Sequence, residues 1–107
     1  MAFRDFISVA IKESTSKTLK VNVSGAKLNE DNIIKVCKEI ETAIKDKTPE
    51  LVILNFYGFS SFPNNGIARL AKIKKKWPKT TIQIGEIPVN TLVNIKYSKY
   101  SSLFAFS

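Results

Sequence analysis

The 107 residues, 44% of them hydrophobic and 24% charged, predict one globular domain that spans the whole chain. The chain carries a net charge of +8 and a single cysteine, Cys37, and it has no histidine. An intrachain disulfide, a Cys/His zinc site and a His-based catalytic triad are therefore excluded. The opening segment, Met1–Lys12, has charged residues around a short apolar run, so we expect neither a secretory signal nor a membrane span, and a cytoplasmic protein.

The first third of the chain reads as a hairpin followed by a helix. Apolar residues alternate over Phe6–Lys12 and again over Thr18–Val23, which predicts two adjacent strands. From Asn29 the apolar spacing changes to three and four residues, which predicts an amphipathic helix over Asn29–Lys47. Asn29 is the expected N-terminal cap of this helix.

The remaining elements alternate between strands and helices. Leu51–Phe56 is apolar throughout, which predicts a central strand with helices on both of its faces. Helical spacing over Asn65–Lys76, a strand over Thr80–Gly85 and a helix over Pro88–Tyr97 follow. The last apolar stretch, Leu103–Phe106, fits either a short edge strand or a docked tail.

The predicted order is thus strand, strand, helix, strand, helix, strand, helix, strand. Crossover helices place the later strands parallel, while the opening hairpin is antiparallel. The sequence therefore predicts a small α/β domain with a mixed sheet.

The segment from Leu51 to Leu70, LVILNFYGFSSFPNNGIARL, resembles the central motif of STAS domains, the family of anti-sigma factor antagonists and sulfate-transporter tails. Gly58, Ser60 and Gly66 stand where this family has the same residues. The segments 19–28 and 87–106 resemble the strand before the family's first helix and its closing segment. The resemblance implies a STAS-like fold and a regulatory protein that binds another protein.

The chain departs from the family at the position of its regulatory switch. Signalling members carry a Ser or Thr, after an Asp, that a partner kinase phosphorylates. Here Pro63 replaces the Asp, while Asn64 and Asn65 replace the two serines, so no hydroxyl stands at the position of the phosphorylated residue. Asn55 likewise stands where the family often has Asp. The resemblance therefore implies binding that is independent of phosphorylation. The nearest hydroxyls are those of Ser60 and Ser61, and hydrogen bonds within the turn are their favoured role.

The loop before the second crossover helix is the predicted partner-binding surface. It follows the carboxyl end of a parallel strand, where α/β sheets present their ligand-binding residues. One of its two Asn residues is expected to cap the helix, with anion binding at that helix end as the less favoured role. The candidate residues are Ser60, Ser61, Pro63, Asn64, Asn65, Gly66 and Arg69.

A second hypothesis rests on the charge of the C-terminal third. From Lys72 onward seven lysines face one acidic residue, Glu86, which suggests a surface for nucleic acid or another anion. Only two of the 17 basic residues are arginines, however, and lysines at a helix C-terminus complement its dipole, so a structural role is favoured. The alternative basic patch comprises Lys72, Lys74, Lys75, Lys76 and Lys79.

The sequence offers no set of residues suited to catalysis. Its nine acidic residues form no evident acid/base pair, and Cys37 lies on the apolar face of a helix as a small hydrophobic residue. A C-terminal aromatic cluster, comprising Tyr97, Tyr100, Phe104 and Phe106, is expected to pack on the sheet, with partner binding as the other interpretation. We therefore expect a non-enzymatic interaction module without metal or cofactor. The resemblance implies a protein partner, such as an anti-sigma-factor-like kinase or a transporter subunit.

Overall fold

The computed structural model describes residues 7–15, 17–25, 27–59 and 61–106. Phe6 of the predicted first strand and the candidate site residue Ser60 lie outside these ranges. The strands and helices follow one another as β1 (Ile7–Thr15), β2 (Thr18–Gly25), α1 (Asn32–Lys47), β3 (Leu51–Tyr57), α2 (Asn64–Lys76), β4 (Thr81–Ile84), α3 (Val89–Lys96) and β5 (Ala105–Phe106), with a 3-10 helix at Ser101–Leu103.

The five strands form one sheet in the order β1-β2-β3-β4-β5. β1 pairs with β2 in antiparallel fashion, and every later pair is parallel. This confirms the predicted mixed sheet, with its opening hairpin and crossover helices, and places β3 at its centre. The last stretch of the chain is an edge strand, since Ala105 and Phe106 pair with Gln83 and Ile84.

The side chain of Asn29, the predicted cap, lies in the turn that leads into α1. The Oδ1 atom of Asn29 accepts hydrogen bonds from the backbone N–H groups of Asp31 and Asn32, at 3.0 and 2.9 Å. In return, the backbone N–H of Asn29 donates to Oδ1 of Asn32 at 2.8 Å. This reciprocal pair satisfies backbone N–H groups in the turn before α1 and at its first residue. The N-cap position of α1 is Asp31, which makes no side-chain capping hydrogen bond, so Asn29 closes the preceding turn and does not stand at the predicted cap position.

One face of the sheet carries the core. Neighbouring strands align their buried residues in rows, such as Val21 beside Leu54 and Leu54 beside Ile84. The buried side chains of all three helices join the same core cluster. Its members in the helices are Ile33, Val36, Cys37, Ile40 and Ile44 of α1, Leu70, Ala71 and Ile73 of α2, and Ile95 of α3.

The prediction that helices cover both faces of β3 is wrong. Lys20, Ile53 and Gln83 form a row on the second face, where Lys20 is exposed and the other two are half-buried. The buried apolar side chains of the described helices all belong to the core cluster, whose strand residues lie on the other face. The reason is topological: each parallel strand is added on the same side of its predecessor, and right-handed crossovers then put every helix on one face.

Candidate functional site

The predicted partner-binding loop connects β3 to α2 at the carboxyl end of the parallel strands. Gly58 turns the chain out of β3 with φ of +79°, a backbone conformation that glycine adopts without strain. Ser61 and Asn64 are exposed, and Pro63 between them is half-buried. These three residues are the outward part of the predicted site.

The prediction that an Asn caps α2 is wrong. Pro63 occupies the N-cap position with extended φ and ψ of −66° and 142°, and no side chain caps the helix. Asn64 and Asn65 already belong to the first helical turn, so their side chains lie one and two residues too late to cap it. Instead, Nδ2 of Asn65 donates to the backbone carbonyl of Glu30, just before α1, at 3.3 Å.

The inner wall of the loop is apolar. The Phe62 ring meets the Phe56 ring edge to face, with 4.9 Å between the ring centroids. Gly66 lies directly beneath Phe62, and a methyl group on its Cα would overlap that ring. Gly66 therefore leaves room for the Phe62 ring to pack against α2, and it has no side chain to present to a partner.

Arg69 and Asn65 lie one turn apart on α2. Both residues are half-buried, and Nε of Arg69 and Oδ1 of Asn65 are buried atoms without a hydrogen-bond partner among the described residues. Arg69 also lies close enough to Cys37 of α1 for its charge to act on the thiol. The predicted site thus divides into an outward loop and an inward pair next to α1.

Cys37 is a core residue, as the sequence indicates. Burial raises the pKa of its thiol to about 11, against the opposing effect of the positive charge of Arg69, while Glu41 raises it further. A thiol with so high a pKa is protonated at neutral pH and is a poor nucleophile.

A polar clamp that the sequence analysis missed joins the strand ends beside the loop. Asn55 is buried at the end of β3, where its Nδ2 donates to Oδ1 of Asn22 on β2 at 3.0 Å. Its Oδ1 accepts a hydrogen bond from the backbone N–H of Glu86, after β4, at 2.9 Å. A methyl group on Gly85 would overlap that oxygen. The signal in the sequence was the pair of Asn residues at the same register position of β2 and β3.

The lysines of the alternative basic patch are partly engaged within the domain. Nζ of Lys74 donates to the backbone carbonyls of Pro78 and Thr80 at 2.9 and 2.8 Å. These bonds join the last turns of α2 to the segment that follows the helix. Nζ of Lys76 lies 3.8 Å from the Glu41 carboxylate and 4.9 Å from the centre of the Trp77 ring. The remaining members, Lys72, Lys75 and Lys79, are exposed.

Most residues of the C-terminal aromatic cluster pack against the core, and one is exposed. Phe104 is buried, and Tyr100 and Phe106 pack against the core. Tyr97, by contrast, is 88% exposed and continues a line of exposed side chains at four-residue spacing with Val89 and Val93. Packing on the sheet is therefore correct for the cluster except at Tyr97.

Neither a metal site nor a membrane-spanning helix is seen in the described parts of the chain. No three His, Cys, Asp or Glu side chains come together there as metal ligands. No helix there is long and apolar enough to cross a bilayer.

Comparison with known proteins shows the fold but no related sequence. No family model matches the chain, and no curated protein matches it either. Solved structures do match. An anti-sigma factor antagonist from Mycobacterium paratuberculosis has a TM-score of 0.78 at 16% identity, over 95% of this chain and 86% of that one. The Bacillus cell fate determinant SpoIIAA, in its phosphorylated form, has a TM-score of 0.71 at 14% identity, over 94% and 91% of the two chains.

The unphosphorylated form of SpoIIAA, described as an anti-sigma factor antagonist, gives a TM-score of 0.72 at 14% identity, over 94% of this chain and 88% of that one. The domain therefore has a STAS-like fold, as the sequence resemblance predicts. Identities this low establish the fold alone.

Proposed function

We propose that this chain is a non-enzymatic protein-interaction module, and that its partner docks on the outward β3–α2 loop and the first turn of α2. The observation that carries this proposal is the loop itself. It stands at the carboxyl end of the parallel strands, exposed at Ser61 and Asn64 and held from behind by the Phe62–Gly66 contact. Exposed loop side chains on a rigid scaffold are typical of binding surfaces.

The fold supports the same proposal from a second direction. The matched structures include anti-sigma factor antagonists, proteins named for their effect on another protein. We extend this class of function, regulation by protein binding, to the present chain as a regulatory or accessory subunit of a signalling or transport complex. An anti-sigma-factor-like kinase and a transporter subunit are the two kinds of partner that fit.

Arg69 is the proposed anchor behind the loop. Its buried Nε lacks a partner among the described residues, as does the buried Oδ1 of Asn65 one turn earlier. Both atoms are buried, so a partner reaches them only if the Arg69 side chain turns outward on binding. Buried polar atoms without partners are costly, so a movement that pairs them would gain free energy. Arginine is also enriched among residues that dominate binding energy.

Binding is expected to be sensitive to the loop and insensitive to the far end of α2. Arg69→Ala and Asn64→Asp should each weaken the complex by about 1–2 kcal/mol, whereas Lys75→Ala should leave it unchanged. Asp at position 64 favours the start of a helix, so the loss of affinity would not come from unfolding. A photo-crosslinking residue at position 64, with position 75 as the control, identifies the partner, and calorimetry with the purified partner measures the affinities.

The proposed docking surface is refuted if crosslinks form from position 75 but not from position 64. It is equally refuted if Arg69→Ala and Asn64→Asp bind like the parent. Thermal unfolding of each variant, measured beside the binding, separates loss of affinity from loss of fold. This control matters most for Arg69, because that residue is half-buried beside α1.

We further infer that the interaction is independent of phosphorylation in this loop. Asn64 cannot accept a phosphoryl group, and the nearest hydroxyls lie at Ser60 and Ser61. Incubation with ATP and extract of the native host is expected to leave the intact mass unchanged, while an Asn64→Ser variant tests whether the loop is otherwise a substrate. A phosphate mapped to Ser60 or Ser61 that alters partner affinity would show that the regulatory position had moved.

A further inference from the structure

β1 is an edge strand with a long unpaired side. It pairs with β2 in continuous register from Ile7 to Glu13, and an irregularity follows between Glu13 and Thr15. Among the described residues no strand pairs with its other edge. Unpaired edges of this length readily accept a further strand, so native proteins usually shorten, charge or cover them.

A groove runs beside this edge, between β1 and α1. It has a volume of about 460 Å³ and is mainly apolar, with Ile11, Leu19 and Ala43 among its lining residues. The side chains of Ile7, Val9 and Ile11 on the same face of β1 are only half-buried. An added strand would hydrogen-bond to the edge and place alternate side chains along the groove.

Opposite charges stand at the two ends of the helix face that lines this groove. Lys35 lies near the start of α1 and Asp46 near its end, and both are exposed. Eleven residues at about 100° each complete three turns to within about 20°, so the two side chains share one face. At about 1.5 Å per residue they are roughly 16 Å apart, too far to pair within one chain.

We propose that the occupant of this edge is a second copy of the chain, whose β1 adds antiparallel about a two-fold axis through Ala10. Ala10 is the central residue of the regular segment Ile7–Glu13. In this register Val9 faces the partner's Ile11 on the groove side. On the second face of the sheet, Ala10 lies opposite Ala10 of the partner copy, and Lys12 lies opposite the partner's Ser8. No like charges therefore oppose each other directly across the strand pair.

The same axis brings the charged ends of the two α1 helices together. β1 and α1 run in the same direction, and Glu13 Oε1 accepts from Lys47 Nζ at 2.8 Å, which fixes their relative level. From Glu13 back to Ala10 is about 10 Å along the strand, which corresponds to about seven helical residues, from Lys47 to Ile40. This level lies about half a residue from the midpoint between Lys35 and Asp46, so the two-fold axis brings Lys35 near the partner's Asp46, and Asp46 near the partner's Lys35.

This interface is independent of the proposed function, because it uses no residue of the β3–α2 loop. The test is the mass of the purified full chain in sedimentation velocity and light scattering, from micromolar to millimolar concentration. We expect the mass to rise from 12.0 kDa toward twice that value. A chain that remains monomeric at millimolar concentration overturns the proposal and leaves the edge to a different extended partner.

A charge exchange tests the geometry of the helices. Lys35→Asp and Asp46→Lys are each expected to weaken dimerisation roughly tenfold, because each replaces two symmetric attractions by repulsions. The double variant should recover most of the parent affinity, since the opposite charges again face each other. Lys75→Asp, which changes net charge as Lys35→Asp does but on α2, is the control. A double variant as weak as the single variants overturns the two-fold arrangement.

A second pair of variants tests the strand seam. Ala10→Lys places two like charges face to face across the axis and should abolish the dimer, while Thr81→Lys adds the same charge to the same face of the sheet at β4 and should not. Both positions are exposed, so circular dichroism is expected to show unchanged folding. Equal dimerisation of the Ala10→Lys variant and the parent contradicts the proposed register.

Discussion

Replacement of Gly85 by alanine is expected to lower the free energy of unfolding by about 2–3 kcal/mol. The new methyl group would overlap Oδ1 of Asn55, and it would also lie 3.3 Å from the carbonyl oxygen of Leu54. Asn55 cannot move aside without losing its hydrogen bonds to Asn22 and Glu86. Urea denaturation at neutral pH measures the loss.

Gly58→Ala is the matched control for this substitution. A methyl group at Gly58 meets no atom within 4 Å, so only the positive φ of +79° opposes the change, and we expect a cost of about 1 kcal/mol. A double variant that combines Gly85→Ala with Asn55→Ala should lose less stability than the sum of the two single variants, because the overlapping oxygen is gone. Strict additivity would argue against a direct contact between the two positions.

Alkaline pH is expected to destabilise the domain through Cys37. Burial raises the pKa of this thiol from 9.0 to about 11 in the folded protein. The folded state therefore holds the proton more tightly than the unfolded state, and the resulting stability is complete below about pH 9 and is lost as the pH rises toward 11. A shift of this size corresponds to about 2–3 kcal/mol.

The Cys37→Ala variant isolates this effect from other groups that titrate at high pH. The variant loses packing at every pH, but it has no thiol to ionise. Between pH 8 and pH 10.5 the parent should lose about 2 kcal/mol more stability than the variant, as measured by urea denaturation at each pH. Parallel pH profiles would show that the thiol ionises equally well in both states, contrary to its burial in the core.

The sequence predicts the order of elements well because each element has a clear period. Ile33, Val36 and Ile40 recur at helical spacing, and the structure buries all three. The sequence does not predict which face of β3 the helices cover, because Leu51 and Ile53 are apolar although they lie on the uncovered face. An apolar run does not reveal how many layers cover a strand, because that depends on the direction of successive crossovers.

The sequence predicted the loop that carries the candidate site, but not the directions of its side chains. The resemblance correctly located a loop and a helix start, and Ser61 and Asn64 are exposed there. Whether Asn64 or Asn65 caps the helix depends on a one-residue shift of its first turn, which local sequence preferences do not resolve. The clamp at Asn55 and the inward position of Arg69 arise from contacts between distant segments, which periodicity does not encode.

The two edges of the sheet differ in length, and so they differ in how easily they open. β1 has nine residues, whereas β5 has two and is joined to β4 by only two register pairs. Short edge strands held by few pairings are among the first elements to detach in local unfolding, well before the whole domain melts. Detachment of β5 would expose Phe104 and leave β4 as a transient edge. Amide hydrogen exchange in this domain should therefore spread inward from the C-terminal strand toward β3.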